Sequence, residues 1–279
     1  ATTGTAYTSV LTGLTPGTTY YFKIVAISST LEGETPSLNG TQATVSGATY
    51  YWVGTTGGLF GAPANWNTMA DGTGTTRIVP DATDIFIVDG DGFVLGGTTT
   101  ISGDVASFSL GQFKVTSNTN LTLQSNGTTT RTLTVTGGPG DDFVVEAGSS
   151  LSLNSATNAV AFAFSGTGNT GLIAGTVNFA GSTSNTITTT GGTGTLVTVA
   201  STGIVNLGAT AISLVGSVAT LNFAAGSNCN ASGATTGAPP VPLATWNTTS
   251  NLTISGITTS TTGATNNNQS FGNFIYNCP

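Results

Sequence analysis

The chain has 279 residues, of which only 5% are charged, and its four Lys and Arg against eleven Asp and Glu give a net charge of −7. The cations Lys23, Arg77, Lys114 and Arg131 form no basic stripe, which argues against a nucleic-acid partner. With no histidine and two cysteines, the chain carries neither a zinc ligand set nor a Ser-His or Cys-His nucleophile.

Thr, Ser, Asn, Val, Ile and Leu dominate the remainder beside 40 glycines. Thr, Val and Ile are stiff at χ1 and suit a pleated surface, so the composition predicts strands and turns and no long helix. A length of 279 residues can bury a sizeable core and admits two domains. No run of about 18 apolar residues marks a membrane span, and no signal peptide is visible at residue 1. A mature, soluble chain is expected, and its polar, uncharged surface suits the outside of a cell.

Residues 1–47 come first. In "YTSVLTGLTPGTTYYFKIVAIS" the apolar positions Val10, Leu14, Tyr20, Phe22, Ile24 and Ala26 alternate about a Pro16-Gly17 turn, the pattern of two strands around a corner. The spacing of Leu14, Pro16, Gly17, Thr18, Tyr20 and Phe22 resembles the E-to-F corner of a fibronectin type III domain, with Tyr20 at its tyrosine corner. The resemblance implies the C-terminal half of such a domain, with a loop from Leu31 leading to a last strand that ends near Val45. Three strands leave one inner face in water, so strands from elsewhere are expected to complete the sandwich.

Residues 48–100 are richer in aromatics and acids. Tyr50, Trp52, Gly54, Pro63, Ala64, Asn65, Trp66, Val79, Pro80 and Asp84 make a pattern that resembles the segment opening β-solenoid modules. Such modules occur in large secreted bacterial proteins, among them autotransporter-like adhesins and type IX-secreted cell-surface proteins. The resemblance implies a cap that covers the first rung with bulky rings.

From about residue 101 to 279 the sequence repeats. One series of short strands starts at 121, 151, 177, 205 and 221 ("LTLQS", "LSLNS", "VNFAG", "VNLGA", "LNFAA"); a second starts at 133, 162, 187 and 212; a looser third starts at 143, 172 and 196. Three strands per turn at this period predict an all-β fold: a right-handed parallel β-helix, preceded by the partial fibronectin type III-like β-sandwich. An antiparallel sandwich would instead want hairpin turns and charges on its exposed face. The spacing breaks after 221, and the Pro-, Gly- and Asn-rich residues 226–251 read as a long loop. The end resembles the start of another coil, so the chain is expected to continue beyond Pro279.

Catalytic chemistry has little to work with. Asp104, Asp141, Asp142 and Glu146, with Lys114 and Arg131 near them in sequence, are the only candidates for a carboxylate pair, and "GPGDDF" also reads as a plain turn. No Asp, Glu, Lys, Arg or His follows Glu146. Asp89 and Asp91 in "VDGDGF" alternate as in a calcium loop but lack its bidentate Glu, and an Asp-Gly turn explains them equally. Trp52, Trp66 and Trp246, with Tyr50 and Tyr51, are candidates for stacking on sugar rings or for the core. Cys229 and Cys278 are a candidate disulfide that would close a loop of about 50 residues and stabilise by roughly 4 kcal/mol; they are equally two separate small side chains.

These features lead to an expected non-enzymatic, extracellular, structural or adhesive segment of a large repetitive bacterial surface protein or filament. No cofactor is expected beyond the calcium candidate, and other copies of the chain, other cell-surface proteins or polysaccharide are the expected partners. The rival expectation is a carbohydrate-active enzyme or carbohydrate-binding module on the same solenoid. Asp104, Asp142 and Glu146 gathered on one face would favour the enzyme.

Overall fold

A computed structural model describes residues 19–28, 31–43, 47–78, 81–92, 97–155, 157–181, 184–207, 213–232, 241–256, 266 and 268–278. The chain divides into two units, 1–48 and 49–279. In the first, Thr19–Ser28 and Leu31–Ala43 form an antiparallel hairpin. The stretch from Leu31, expected as a loop, is strand: a register shift leaves Leu38 without a counterpart, and Pro36, which has no N–H to donate, lies beside that bulge. The corner residues Leu14, Pro16, Gly17 and Thr18 lie outside the described residues, and the described part of this unit is one two-stranded sheet.

The second unit is built from three sheets that the chain visits in turn, which makes it a parallel β-solenoid of about six turns. The first sheet runs through Gly58–Leu59, Thr98–Gly103, Asn120–Ser125, Ser150–Ser155, Thr176–Gly181, Ile204–Leu207, Asn228–Ser232, Asn251–Ser255 and Asn273–Asn277. The second holds Ser107–Leu110, Arg131–Val135, Val160–Phe164, Thr186–Thr188 and Leu214–Val215. The third holds Thr49–Trp52, Ile85–Asp89, Gln112–Thr116, Phe143–Val145, Thr170–Ile173, Leu196–Val199, Leu221–Phe223 and Thr245–Trp246, with Trp66–Asn67 antiparallel at its outer edge.

Period-2 alternation in most of these strands sends one set of side chains inward, and parallel register stacks them in columns about 4.8 Å apart. In the first sheet Leu121, Leu151, Val177, Val205, Cys229 and Leu252 succeed one another, all fully buried. In the third, Phe86, Phe113 and Phe143 stack until Gly171 takes their place above Phe143, where an added Cβ would press on the Val197 side chain.

Three boundaries differ from the sequence reading. The solenoid begins before residue 101, because Thr49–Trp52 stacks in parallel on Ile85–Asp89; the segment 48–100 is a cap that also supplies first strands. "LNFAA" at 221 belongs to the third sheet, over Val197 and Val199, and "NCNAS" at 228 takes the first-sheet place. The long loop expected over 226–251 therefore contains two rungs, Asn228–Ser232 and Thr245–Trp246. Cys229 and Ala231 fill the apolar positions there, so a strand of ordinary alternation does not read as apolar.

Outward-facing positions form polar ladders. Asn206 Nδ2 donates to Asn178 Oδ1 at 2.6 Å, and Asn230 Nδ2 donates to Asn206 Oδ1 at 2.8 Å. A second run joins Asn228, Asn251 and Asn273, each amide donating to the one before it. An amide carries donor and acceptor together, so like can stack on like without repulsion. The turn from third to first sheet repeats as well: Thr119, Ser227 and Ser250 each return a hydroxyl to the carbonyl three residues back, at 2.6–2.7 Å. At Gly203 in the same turn a Cβ would stand 2.2 Å from the Ile173 carbonyl oxygen, which only glycine avoids.

The Asn206→Asp variant tests the ladder. It keeps an acceptor for Asn230 but turns oxygen against oxygen at Asn178, so urea unfolding at pH 7 should show a loss of about 1–2 kcal/mol. The variant carboxyl is harder to ionise when folded, so the loss should shrink as pH falls and the acid regains a proton to donate. Equal stability at pH 7 would mean that the ladder contributes nothing.

Candidate functional site

The aromatics of the cap turn inward. Trp52 and Trp66 are 1% and 0% exposed, opposed across the antiparallel pair with ring centroids 5.1 Å apart, edge to face. Phe60, Phe86 and Phe108 pack around them, and Trp66 Nε1 donates to the Phe60 carbonyl at 2.7 Å. The Arg77 guanidinium is buried in this cluster, 5.1 Å from the Phe86 ring and 5.2 Å from Phe108, with Nη2 donating to the Gly61 carbonyl. Burial pushes its pKa down and Asp84 opposes that; guanidinium keeps its charge under such pressure, and the ring faces supply part of the lost hydration. Trp246 occupies the column above Val199 and Phe223, stacked on the Phe223 ring at 4.0 Å and 3°. The three tryptophans are therefore core side chains, and none presents a face for a sugar ring; the same alternation that buries Leu and Val elsewhere puts them inside.

The candidate acids are not brought together. Asp104 follows a first-sheet strand, Asp142 precedes a third-sheet strand and Glu146 follows the same third-sheet strand, so they occupy the three different corners of the coil. Each bridges neighbouring backbone. Asp104 Oδ1 accepts the Gly61 amide at 2.7 Å and ties the cap to the first full coil. Asp142, 1% exposed, accepts Gln112 Nε2 at 3.0 Å on Oδ1 and the Thr170 amide at 2.8 Å on Oδ2, linking three successive coils. Glu146 Oε2 accepts the Ser117 amide at 2.7 Å, where Ser117 and Asn118 hold left-handed φ of 54° and 56°. Asp141 is half-buried beside Asp142. Lys114 points outward between Ile87 and Val144, and the Arg131 guanidinium lies over Gly127, where any Cβ would collide with it.

A concave surface does exist in the cap. Tyr51, Thr68, Met69, Ala70, Asp71, Asp89, Asp91 and Gly92 line an open basin of about 410 Å³. Two loops form it, and their contact requires glycine at 92, where a Cβ would stand 2.6 Å from the Ala70 carbonyl oxygen. Asp89 Oδ1 accepts the Asp91 amide at 3.1 Å, and Asp71 Oδ1 accepts the Thr73 amide and hydroxyl at 2.9 and 2.7 Å. Those Thr73 donors hold the Asp71 carboxyl below its ordinary pKa. Among the described residues no three His, Cys, Asp or Glu are gathered as a metal-holding group; the calcium candidates Asp89 and Asp91 share a turn closed by the Gly92 amide on the Asp89 carbonyl. The basin is acidic, open and edged by one phenol and an exposed thioether. Met69 and Asp71 escaped sequence reading because nothing in "NTMADG" announces that it will face the 89–92 turn.

The candidate disulfide is not formed. Both thiols are free; Cys229 is buried two rungs from Phe274, and Cys278 lies four residues farther along the chain, beyond the reach of a disulfide. Cys278 Sγ contacts the Ile254 carbonyl at 3.8 Å. Burial alone pushes the Cys229 thiol far above its ordinary pKa.

Fold and site together define an all-β chain carrying a parallel β-solenoid of about six turns, with a capped, aromatic-cored first end. No family model, curated protein or solved structure matches it. Among the described residues no helix is long and apolar enough to cross a membrane.

Two outcomes follow from these geometries. Asp142→Ala should cost about 1–3 kcal/mol in urea unfolding, because the Gln112 side chain and the Thr170 amide lose their acceptor; an unchanged midpoint would contradict the bridging role. A thiol reagent should label one cysteine, Cys278, in the native chain and two in denaturant, as read by mass spectrometry.

Proposed function

We propose that the chain is a non-enzymatic extracellular segment of a large bacterial cell-surface protein, in which the solenoid holds distance and shape and the cap carries contact. The observation that supports this most directly is the dispersal of Asp104, Asp142 and Glu146 to three corners, each engaged in bridging backbone. A glycosidase needs two carboxyl groups facing one bond across about 5–9.5 Å. The absence of any Asp, Glu, Lys, Arg or His from 147 to 279 also supports a spacer. Its rungs are joined by backbone ladders and by Asn, Ser and Thr, which suits mechanical continuity.

Contact is assigned to the basin around Tyr51, Asp71, Asp89 and Asp91. Its partner is another surface protein, another copy of this chain or a polysaccharide. Carbohydrate binding without catalysis is the second reading, favoured by the phenol of Tyr51 at an open polar rim.

Beads coated with the chain should adhere to bacterial surfaces, and adhesion should fall at least about fivefold with Asp89→Asn and Asp91→Asn combined, since rim charges set encounter and specificity. The same chain should release no sugar from a panel of bacterial and plant polysaccharides. Measurable turnover that disappears in Asp104→Asn would overturn the non-enzymatic reading.

A further inference from the structure

The three outward faces of the solenoid differ in chemistry. On the first sheet Thr122, Ser152, Asn178, Asn206, Asn230 and Thr253 succeed one another. On the second, the outward places of Arg131–Val135, Val160–Phe164 and Thr186–Thr188 hold only Thr and Ala. The third departs from both: Tyr51, Ile87, Lys114, Val144 and Leu172 follow one another in register, all half-buried on the outward side. Leu196, one rung on and on the same side, is 42% exposed. The Lys114 stem continues the apolar surface while its ammonium reaches water. Rung steps of about 4.8 Å carry this stripe roughly 19 Å from Tyr51 to Leu172. Its head is the acidic basin. Tyr51 lines the basin and starts the stripe, and Asp89 lies two residues from Ile87 on the same side of one strand. Asp71, Asp89 and Asp91 bring their carboxylates there; the partners of Asp71 and Asp89 are Thr73 and the Asp91 amide, and among the described residues none of the three pairs with a Lys or Arg.

An apolar path that ends among carboxylates without cations matches a segment that is apolar along its length and cationic at one end. We propose that the third outward face and the basin form one docking surface for such a segment of a different protein. Its apolar side chains lie over Ile87, Val144 and Leu172, and its Lys or Arg side chains enter the basin. Charge decides which partner fits. A second copy of the chain offers no match: Lys114 belongs to the face itself, Arg77 is buried in the cap, and no two of the four cations are neighbours in sequence. A neutral polysaccharide brings neither the charge nor a run of alkyl groups, and an acidic one is repelled. The two parts of the surface divide the work. Carboxylates at the basin speed encounter and fix direction, while water expelled from the aliphatic stripe slows departure. Aliphatic side chains aligned on one face, where the other two faces carry Thr, Ser, Asn and Ala, are the mark of a protein contact. The stripe accommodates about thirteen residues of helix at 1.5 Å per residue, or about six of strand. The inference rests on the adhesive reading of the basin, and extends it to a partner class and to the rungs beyond the cap.

The probe is a fluorescent Leu- and Ala-rich peptide ending in Lys-Lys-Lys, whose anisotropy is followed as the 279-residue chain is added. Binding should saturate and should weaken as salt rises. The same peptide ending in Glu-Glu-Glu, or with Ser in place of Leu, should bind at least about tenfold more weakly. Leu172→Lys should weaken binding at least about tenfold, and Leu196→Lys, at an exposed position, at least about threefold, with circular dichroism unchanged in both. Thr253→Lys, on the first outward face, should bind as the parent does. Asp89→Asn combined with Asp91→Asn should remove most of the salt dependence. Equal binding of the Lys-ended and Glu-ended peptides overturns the proposal, as does full binding by both leucine variants. Bead adhesion separates this inference from the reading it rests on. Adhesion that is lost with Asp89→Asn and Asp91→Asn but kept by both leucine variants overturns the extended surface and leaves the basin as a contact site. Beads that adhere to no bacterial surface, while the peptide pattern holds, sink the adhesive reading alone and leave the docking surface standing.

Discussion

Parallel in-register stacking governs this molecule. Each coil sets its side chains about 4.8 Å from their counterparts one rung away, so every position is a column and must tolerate its own kind as a neighbour. Apolar columns do so readily, as Leu121 through Leu252 show. Charged columns do not, because like charges at that spacing repel. Amides and hydroxyls do, because each carries donor and acceptor capacity. The charge-free stretch after Glu146 accords with this register, and Lys114 lies outward with Ile87 and Val144 flanking it.

The same constraint makes the first rung expensive, since it has no predecessor to pair with. The cap answers with an antiparallel strand over the parallel ones and with side chains too large to be undercut by water. Arg77 fits this setting because its flat cation can lie between rings while one N–H holds the Gly61 carbonyl. Gly54 is part of the arrangement, as a Cβ there would stand 2.6 Å from Trp52 Cζ2.

Much of the solenoid was legible because the columns repeat. Strands beginning at 121, 151, 177 and 205 share one apolar alternation, and they lie in one sheet. The reading failed where composition and column parted. "LNFAA" at 221 imitates "VNFAG" at 177 yet stands in another sheet, while "NCNAS" at 228 keeps the place with Cys and Ala. Trp52, Trp66 and Trp246 were ambiguous because a ring that stacks on sugar and a ring that fills a core have the same composition; only the strand's phase decides. The basin was the least legible feature, as it arises where residues 68–71 meet 89–92, and nothing local encodes that meeting.

The acids carry the functional argument furthest. A carboxylate that accepts backbone amides from another coil is held in place by the fold and is occupied by it. Asp142 engages both oxygens between coils, Oδ2 on the Thr170 backbone amide and Oδ1 on the Gln112 side-chain amide. Asp104, Asp142 and Glu146 serve as clasps between coils at three different corners, so these three are not aligned along one face. The column rule lapses in the cap, where two loops depart from the stack and form the open basin.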